Sequence, residues 1–173
     1  MMWVYPENIC NSGGLEVLGW AIRSGGVTVE KYRVLVGVHL VLVDARGRVL
    51  LGRRVNTGFG DGLFHVPAGH LEAGESAVGG LIREAREEVG VEIDAGDVEF
   101  AHVLYSDERV QMFFTVRRWT GAVTNREPEK CSELTWFEPE SLPEEIVDYC
   151  RVGIGKVMTG EAFSEYGWDS PRG

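Results

Sequence analysis

The segment from Gly69 to Val91, GHLEAGESAVGGLIREAREEVGV, constrains this chain more than any other. Ser76 can accept a hydrogen bond from the first turn of a helix, and Gly90 tolerates the left-handed backbone that closes one. Between them, apolar residues recur at three- and four-residue intervals and form one stripe. The stripe consists of Val78, Leu81, Ile82, Ala85 and Val89. The pattern predicts a helix over about 77–89 that packs on a core.

Three glutamates of this helix, Glu84, Glu87 and Glu88, fall together on the neighbouring face. At these spacings like charges repel by roughly 0.2–0.5 kcal/mol per pair, so a positive group is expected among them. A solvated acidic face is the simpler interpretation. Against it, Arg83 lies four positions before Glu87 and can orient that carboxylate. The glycines at 79–80, each about 1 kcal/mol worse than alanine in a helix, also suggest the close approach of another backbone.

Carboxylates that converge from one helix face are hard oxygen ligands, which suit Mg²⁺ or Mn²⁺. Such ions neutralise developing charge and make bound water more acidic, so the cluster predicts metal-assisted attack on a phosphate ester or anhydride. Gly69 and Gly74 allow the preceding loop to fold back. Glu75 and main-chain carbonyls are therefore expected to reach the same metal centre.

Composition limits the partners that the chain can bind. Its 173 residues, of which 44% are hydrophobic, suffice for one domain with a core. A net charge of -10 argues against a nucleic-acid polymer or an anionic membrane as partner, because both bind basic surfaces. An acidic protein that handles phosphates needs a metal ion to do so.

Three cysteines, Cys10, Cys131 and Cys150, are far apart and form no metal-binding or disulfide pattern. The amino terminus MMWVYPENIC lacks the features of a secretory signal, and no apolar run is long enough to span a bilayer. A soluble cytoplasmic protein is expected. Its oligomeric state is left open, with a homodimer as one alternative.

The order of the predicted elements indicates an α+β domain with helices packed on a mixed sheet. YRVLVGVHLVLVD and RVLLGRR flank a turn and predict a hairpin, and LFHV, DVEFAHVLYS, RVQMFFTVRRW and ELTWF predict further strands. Pro143 suits the start of a last helix. Residues 1–31 are interpreted as an appendage with a hairpin around 24–26, residues 32–160 as the main domain and residues 161–173 as a tail.

The segment resembles the Nudix box, G-x5-E-x7-R-E-U-x-E-E-x-G-U with U apolar, at every specified position. The resemblance implies an α/β/α sandwich and a Mg²⁺-dependent hydrolase that cleaves a diphosphate linkage in a nucleoside diphosphate derivative. It also implies residue roles. Glu84, Glu87, Glu88 and the carbonyl of Ala68 would bind metal, with Glu87 and Glu88 catalytic; Arg83 would orient a catalytic carboxylate; and Gly69, Glu75 and Gly90 would be structural.

Members of this family often take one more carboxylate, as base or metal ligand, from a loop outside the box. The loop NREPEKCSE offers Glu127, Glu129 and Glu133, and the first two are favoured because they lie farther from the strand ELTWF. Ordinary exposed loop acids are the alternative for each of them.

Cations and flat apolar side chains are needed to hold a nucleotide. Arg53, Arg54 and Lys130 are candidate phosphate partners. The candidate stacking surfaces are Phe59, Phe64, Trp119 and Trp136, each of which has core or surface packing as its alternative. Of the four histidines, only His70 is expected near the site.

The favoured function is cleavage of a nucleoside triphosphate, or another small nucleoside diphosphate derivative, by metal-activated water. A nucleotide-sugar or other NDP-X hydrolase of a biosynthetic pathway is an alternative, and residues 1–31 would then help to select the substrate. A nucleotide sensor without turnover is a third hypothesis, from a different class of protein.

Overall fold

The strands divide between two sheets. The computed structural model describes residues 32–168, so the predicted hairpin around 24–26 lies outside them. The elements are β1 (Leu35–Leu42), β2 (Val49–Arg54), β3 (Phe64–His65), β4 (Ala68–His70), α1 (Ala77–Val89), β5 (Val98–Tyr105), β6 (Arg109–Val116), β7 (Cys131–Phe137), α2 (Asp148–Thr159) and β8 (Phe163–Glu165). Short 3₁₀ turns cover Ala95–Asp97 and Pro139–Ser141. No helix within residues 32–168 is long and apolar enough to cross a membrane.

The larger sheet has five strands in the order β4-β1-β6-β5-β8, and the smaller has three in the order β3-β2-β7. In the larger sheet β1 pairs with β6 and β5 with β8 in parallel, whereas its other neighbours are antiparallel. The smaller sheet is antiparallel throughout. The predicted α+β class with a mixed sheet is confirmed.

Side-chain alternation along β1 separates two cores. Val38, Leu40 and Leu42 pack in the core that includes the apolar stripe of α1. Val41 belongs to the other core, which includes Phe113 of β6 and the buried side of α2. Successive strand residues point to opposite faces, so α1 and α2 cover opposite faces of the five-stranded sheet. This arrangement is the predicted α/β/α sandwich.

Helix α1 has the predicted ends because both caps are local. The Oγ atom of Ser76 accepts a hydrogen bond from the Gly79 N–H at 3.0 Å, and Gly90 has a φ of 70°. Gly80 is buried, and a Cβ there would lie 2.5 Å from Cδ2 of Leu71. The close approach predicted at Gly79 and Gly80 therefore occurs at Gly80, but the group that approaches is the Leu71 side chain and not a backbone.

Two details of the predicted order are wrong. β1 and β2 do not form a hairpin in one sheet, since only a single bridge, between Val43 and Val49, joins them and each continues into a different sheet. The last helix begins at Asp148 rather than near Pro143, because Ile146 still forms a parallel bridge to Phe64. Strand β8, within the range interpreted as a tail, adds to the sheet beside β5.

Candidate active site

A cleft of about 660 Å³ lies beside β4 and contains most of the residues singled out in the sequence. One wall is acidic and is formed by Glu84, Glu87 and Glu88 of α1 together with Glu127. We call these four residues the glutamate wall. Glu84 and Glu88 are largely buried and Glu87 is exposed. One helix thus presents three carboxylates, and the loop before β7 supplies the fourth.

Arg83 braces the glutamate wall. Its Nε and one terminal nitrogen donate to the two carboxylate oxygens of Glu75 at 2.9 and 3.0 Å. Its other terminal nitrogen donates to Oε1 of Glu84 at 2.7 Å and to Oε2 of Glu87 at 3.1 Å. Arg83 therefore orients Glu87, as its spacing predicts. Glu75 does not line the cleft; it also accepts from the Glu72 N–H at 3.1 Å, and so supports the loop before α1.

The glutamate wall holds more negative charge than its surroundings favour. Burial, followed by the charge of Glu84, raises the pKa of Glu88 from its ordinary value of 4.5 to about 8, although the Ala68 N–H donates to its Oε2 at 2.9 Å. Burial also raises the pKa of Glu84, and the Arg83 guanidinium opposes that shift. A cation bound at the wall would relieve both effects.

The residues present fit a divalent cation. The four carboxylates and the main chain at Ala68 form an all-oxygen donor set on the cleft surface, the type that Mg²⁺ prefers. Within residues 32–168, no three His, Cys, Asp or Glu side chains already converge as a metal-binding group. Arg83 holds one oxygen of Glu84 and one of Glu87, which leaves the second oxygen of each carboxylate as a donor for the cation.

The loop before β7 places one of its three candidate acids in the cleft. Glu127 lines the cleft, and its Oε1 accepts from Nζ of Lys130 at 2.8 Å. Glu129 does not line the cleft. Glu133 lies outside it and forms an ion pair of 2.6 Å with Arg53. The structure therefore selects Glu127 as the carboxylate that accompanies the three of α1.

The two arginines that end β2 point to different places because consecutive strand residues alternate. Arg54 lines the cleft and donates from Nε to the carbonyl of Phe59 at 2.8 Å. Arg53 does not reach the cleft; its guanidinium lies 4.2 Å from the centre of the buried Phe64 ring. The structure therefore does not bring Arg53 to the cleft, where the sequence predicts it beside the substrate phosphates.

Of the four candidate stacking residues only Phe59 lines the cleft, and its side chain is 56% exposed. Thr57 and Asp61 brace its loop through a 2.6 Å hydrogen bond. Trp119 and Trp136 stack on each other with ring centres 6.1 Å apart and pack against the core on the α1 side. These three residues, Phe64, Trp119 and Trp136, therefore serve packing, which was the alternative to base stacking for each of them.

The floor of the cleft contains polar residues that the sequence did not single out. We call His39, His65, Gln111 and Tyr149, which come from four different elements, the polar floor. The expectation that His70 is the one histidine near the site is wrong, because His39 and His65 line the cleft as well. The available signal was a histidine at an inward position of the otherwise apolar strand VGVHLVLV.

Comparisons with known proteins agree with this geometry. A family profile described as "NUDIX domain" matches residues 33–150. The RNA pyrophosphohydrolase of Novosphingobium aromaticivorans is 31% identical over 142 residues, which cover 69% of this chain and 86% of that protein. The NAD-capped RNA hydrolase NudC of Stutzerimonas stutzeri is 28% identical over 145 residues, or 82% of this chain. The chain spans only 51% of that NudC protein.

Solved structures support the fold. The MutT NUDIX hydrolase from Burkholderia pseudomallei superposes with a TM-score of 0.66 at 23% identity, covering 72% of this chain and 98% of that one. The MutT protein from Methanosarcina mazei Go1 gives a TM-score of 0.63 at 21% identity, with 75% and 96% covered.

The two relatives named above correct one expectation. Their names state that they act on RNA, so the exclusion of a nucleic-acid polymer as partner is wrong. The net charge of -10 was the basis of that exclusion. Net charge describes the whole surface, whereas an enzyme that acts at the end of a polymer contacts few of its phosphates.

Proposed function

The chain belongs to the NUDIX-domain family, and from this premise we propose that it is a Mg²⁺-dependent hydrolase of the diphosphate linkage in a nucleoside 5′-triphosphate or related derivative. The glutamate wall, braced by Arg83, is the observation that carries the proposal. Hydrolases of this family generally need a divalent metal ion. Mg²⁺ is chosen because the donors are all oxygen, and Mn²⁺ fits the same set.

Glu84, Glu87, Glu88 and the Ala68 carbonyl are the proposed metal ligands. When bound, the metal ion supplies charge neutralisation at the diphosphate and lowers the pKa of water. Arg83 keeps Glu84 and Glu87 on the cleft side of α1 through its bonds of 2.7 and 3.1 Å. Its bidentate contact with Glu75 ties this orientation to the loop before the helix.

Glu127 is the proposed general base, which accepts a proton from the attacking water on a carboxylate oxygen. It faces the same cleft as Glu88, and its charge contributes to the raised pKa of Glu88. Lys130 fixes its position by an ion pair of 2.8 Å. A base must lie within reach of the water that it deprotonates, and Glu127 is the loop acid that meets this condition.

Arg54, Lys130 and Phe59 are proposed to hold the rest of the substrate. Arg54 brings positive charge to the cleft, and Lys130 lies at the glutamate wall, where it pairs with Glu127, so both can contact phosphates bound by the metal. The exposed ring of Phe59 at the rim suits stacking on a base. The cleft is open to solvent at this rim, which leaves room for a substrate whose 5′ end belongs to an RNA chain.

A nucleotide panel tests the proposal. Full-length protein with Mg²⁺ is incubated with nucleoside triphosphates, nucleotide sugars, a 5′-triphosphorylated RNA oligomer and an NAD-capped one, and the products are identified. Glu87→Gln and Glu88→Gln are the control variants, and both are expected to lose most of the turnover. Equal turnover by the wild type and both variants would refute the mechanism. Stabilisation by a nucleotide without any product would identify a sensor instead.

A further inference from the structure

The polar floor lies on the α2 side of the five-stranded sheet, away from the glutamate wall. Because β1 and β6 pair in parallel with Gly37 opposite Gln111, residues His39 and Gln111 lie on the same face. Gly37 lines the cleft between them, and a Cβ there would lie 3.1 Å from the His39 ring and 3.2 Å from the Gln111 amide oxygen. A glycine at this position leaves no side chain between these two groups and the cleft.

Two members of the polar floor, His65 and Tyr149, are hydrogen-bonded to each other. Nδ1 of His65 lies 2.6 Å from the Val66 carbonyl, which can only accept, so Nδ1 carries the proton. Its Nε2 then accepts from the Tyr149 hydroxyl at 2.7 Å. These contacts orient the His65 ring and the Tyr149 hydroxyl without any ligand.

His39 is the exception. It is 3% exposed, and among residues 32–168 its Nδ1 is the single buried side-chain nitrogen or oxygen without a hydrogen-bond partner. Its ring is fixed by stacking on Phe113 at 4.6 Å, and by edge contacts with His65 and Tyr149 at 5.4 and 5.8 Å. Buried polar atoms are almost always paired, so the unpaired nitrogen of a residue that lines the cleft calls for a partner that the described chain does not supply.

The floor offers hydrogen bonds but little charge. Burial, then the proximity of His65 and His70, hold the pKa of His39 well below its ordinary value, and burial lowers that of His65 to about 4. Both rings are therefore neutral at neutral pH. Arg54 adds to the lowering of the His65 pKa from the side of the phosphates, and Arg109 is exposed and lies beside His70 at 3.3 Å. The polar floor thus suits an uncharged part of a substrate, while the phosphates face the metal and Arg54.

We propose that the polar floor is the subsite for the uncharged end of the substrate, and that His39 determines selectivity through a hydrogen bond at Nδ1. The ligand group is a planar nucleobase edge or a sugar hydroxyl, which share the ability to hydrogen-bond without carrying charge. The proposal rests on the proposed function, since it takes the diphosphate to lie at the glutamate wall. A site built to hydrogen-bond one group rejects analogues that lack it.

Binding of non-hydrolysable analogues tests this assignment independently of turnover. Calorimetry with full-length protein and Mg²⁺ measures Kd for α,β-methylene nucleoside diphosphates with each of the common bases, and for their 2′-deoxy forms. His39→Phe removes the polar atom but keeps a ring that can stack on Phe113. His39→Asn keeps a hydrogen-bonding atom near the position of Nδ1. His102→Phe is the control for a buried histidine beside the same Phe113 ring that does not line the cleft. Because both nitrogens of His102 are hydrogen-bonded, to Glu161 and Ser164, its folding is first checked by circular dichroism.

The wild type is expected to prefer one base, or ribose over deoxyribose, by about tenfold or more. His39→Phe is expected to bring that preference within about twofold, with Mg²⁺ affinity unchanged, whereas His39→Asn and His102→Phe keep most of it. A preference among bases assigns the floor to the nucleobase, and a preference for ribose assigns it to the sugar.

Three results would overturn the assignment: no preference or no binding in the wild type, an unchanged preference in His39→Phe, or an equal loss in His102→Phe. Failure of the proposed function is recognised separately. If nothing in the substrate panel is hydrolysed but His39→Phe still abolishes a binding preference, the floor assignment stands and the hydrolase proposal fails. If turnover is normal and the preference ignores His39, only the floor assignment fails.

Discussion

A Cβ on Gly69 would lie 1.8 Å from Oε1 of Glu84 and 2.1 Å from its Cδ atom. Strand β4 therefore passes the Glu84 carboxylate at a distance that only glycine permits. Oε1 of Glu84 is also held by Arg83 at 2.7 Å, so the carboxylate cannot move aside without breaking that bond. Gly69, the first residue of the Nudix box, is therefore needed because any side chain there would collide with Glu84 of the glutamate wall.

Gly69→Ala is expected to lower kcat/KM by about a hundredfold, because displacement of a reacting group by about 1 Å has effects of this size. Steady-state kinetics and a Mg²⁺ titration measure the loss. Gly155→Ala on α2 is the matched control, since a Cβ there meets nothing within 4 Å. It should leave activity unchanged and raise the free energy of unfolding by about 0.8–1 kcal/mol. Full activity in Gly69→Ala would contradict the steric argument.

Metal affinity should depend on pH through Glu88, whose pKa burial and the charge of Glu84 raise from 4.5 to about 8. Between these values the folded, metal-free protein keeps a proton that the unfolded chain releases, so the stability contributed by Glu88 falls as pH rises through that window. Metal binding displaces this proton, and affinity should therefore increase by up to roughly tenfold per pH unit until about pH 8.

Calorimetric Mg²⁺ titrations between about pH 6 and 9, in buffers of different ionisation enthalpy, measure both the affinity and the protons released. Glu88→Gln should bind Mg²⁺ more weakly, with a flatter pH dependence, and its metal-free form should be more stable than the wild type near pH 8. A pH dependence as steep in Glu88→Gln as in the wild type would assign the proton to another group.

The first and last residues of α1 could be predicted from the sequence because the signals that set them are local. Ser76, Gly90 and the apolar stripe fix the ends and the rotation of α1 without reference to any other element. The remaining site depends on contacts between distant segments. Whether Arg53 or Arg54 faces the cleft depends on how β2 pairs with β7, and the polar floor forms only when β1, β3, β6 and α2 meet.

Glu127→Gln is expected to reduce kcat by about 10²-fold or more, the usual contribution of a general base. Glu129→Gln, two positions along the same loop, should retain near wild-type kcat because Glu129 does not line the cleft. Rates are compared at saturating substrate and metal, so that a change in KM does not mask the difference. Equal losses in both variants would indicate a general effect of loop charge rather than base catalysis.

Arg54→Ala and Arg53→Ala form a second matched pair on adjacent residues. Arg54 faces the cleft beside Phe59, whereas Arg53 pairs with Glu133 outside it. Loss of a phosphate contact should raise KM about tenfold in Arg54→Ala, in the range of a charge-assisted hydrogen bond, with a smaller effect on kcat. Arg53→Ala should leave KM unchanged. The reverse order would show that β2 presents its other face to the substrate.

His39→Phe should make the ligand-free protein more stable while it removes selectivity. The Nδ1 atom of His39 is buried without a partner among residues 32–168, and an apolar ring of similar shape removes its desolvation penalty. An increase of about 1 kcal/mol in the free energy of unfolding is expected from urea titrations without nucleotide.

His65→Phe is expected to lower the free energy of unfolding instead, because both nitrogens of His65 are hydrogen-bonded, to Val66 and Tyr149. Its loss leaves two buried groups unpaired and should cost about 1–3 kcal/mol. Destabilisation of equal size in both variants would mean that His39 is an ordinary core residue. Opposite signs would mean that the chain maintains an unpaired nitrogen at the cleft, against its own stability, for a ligand to satisfy.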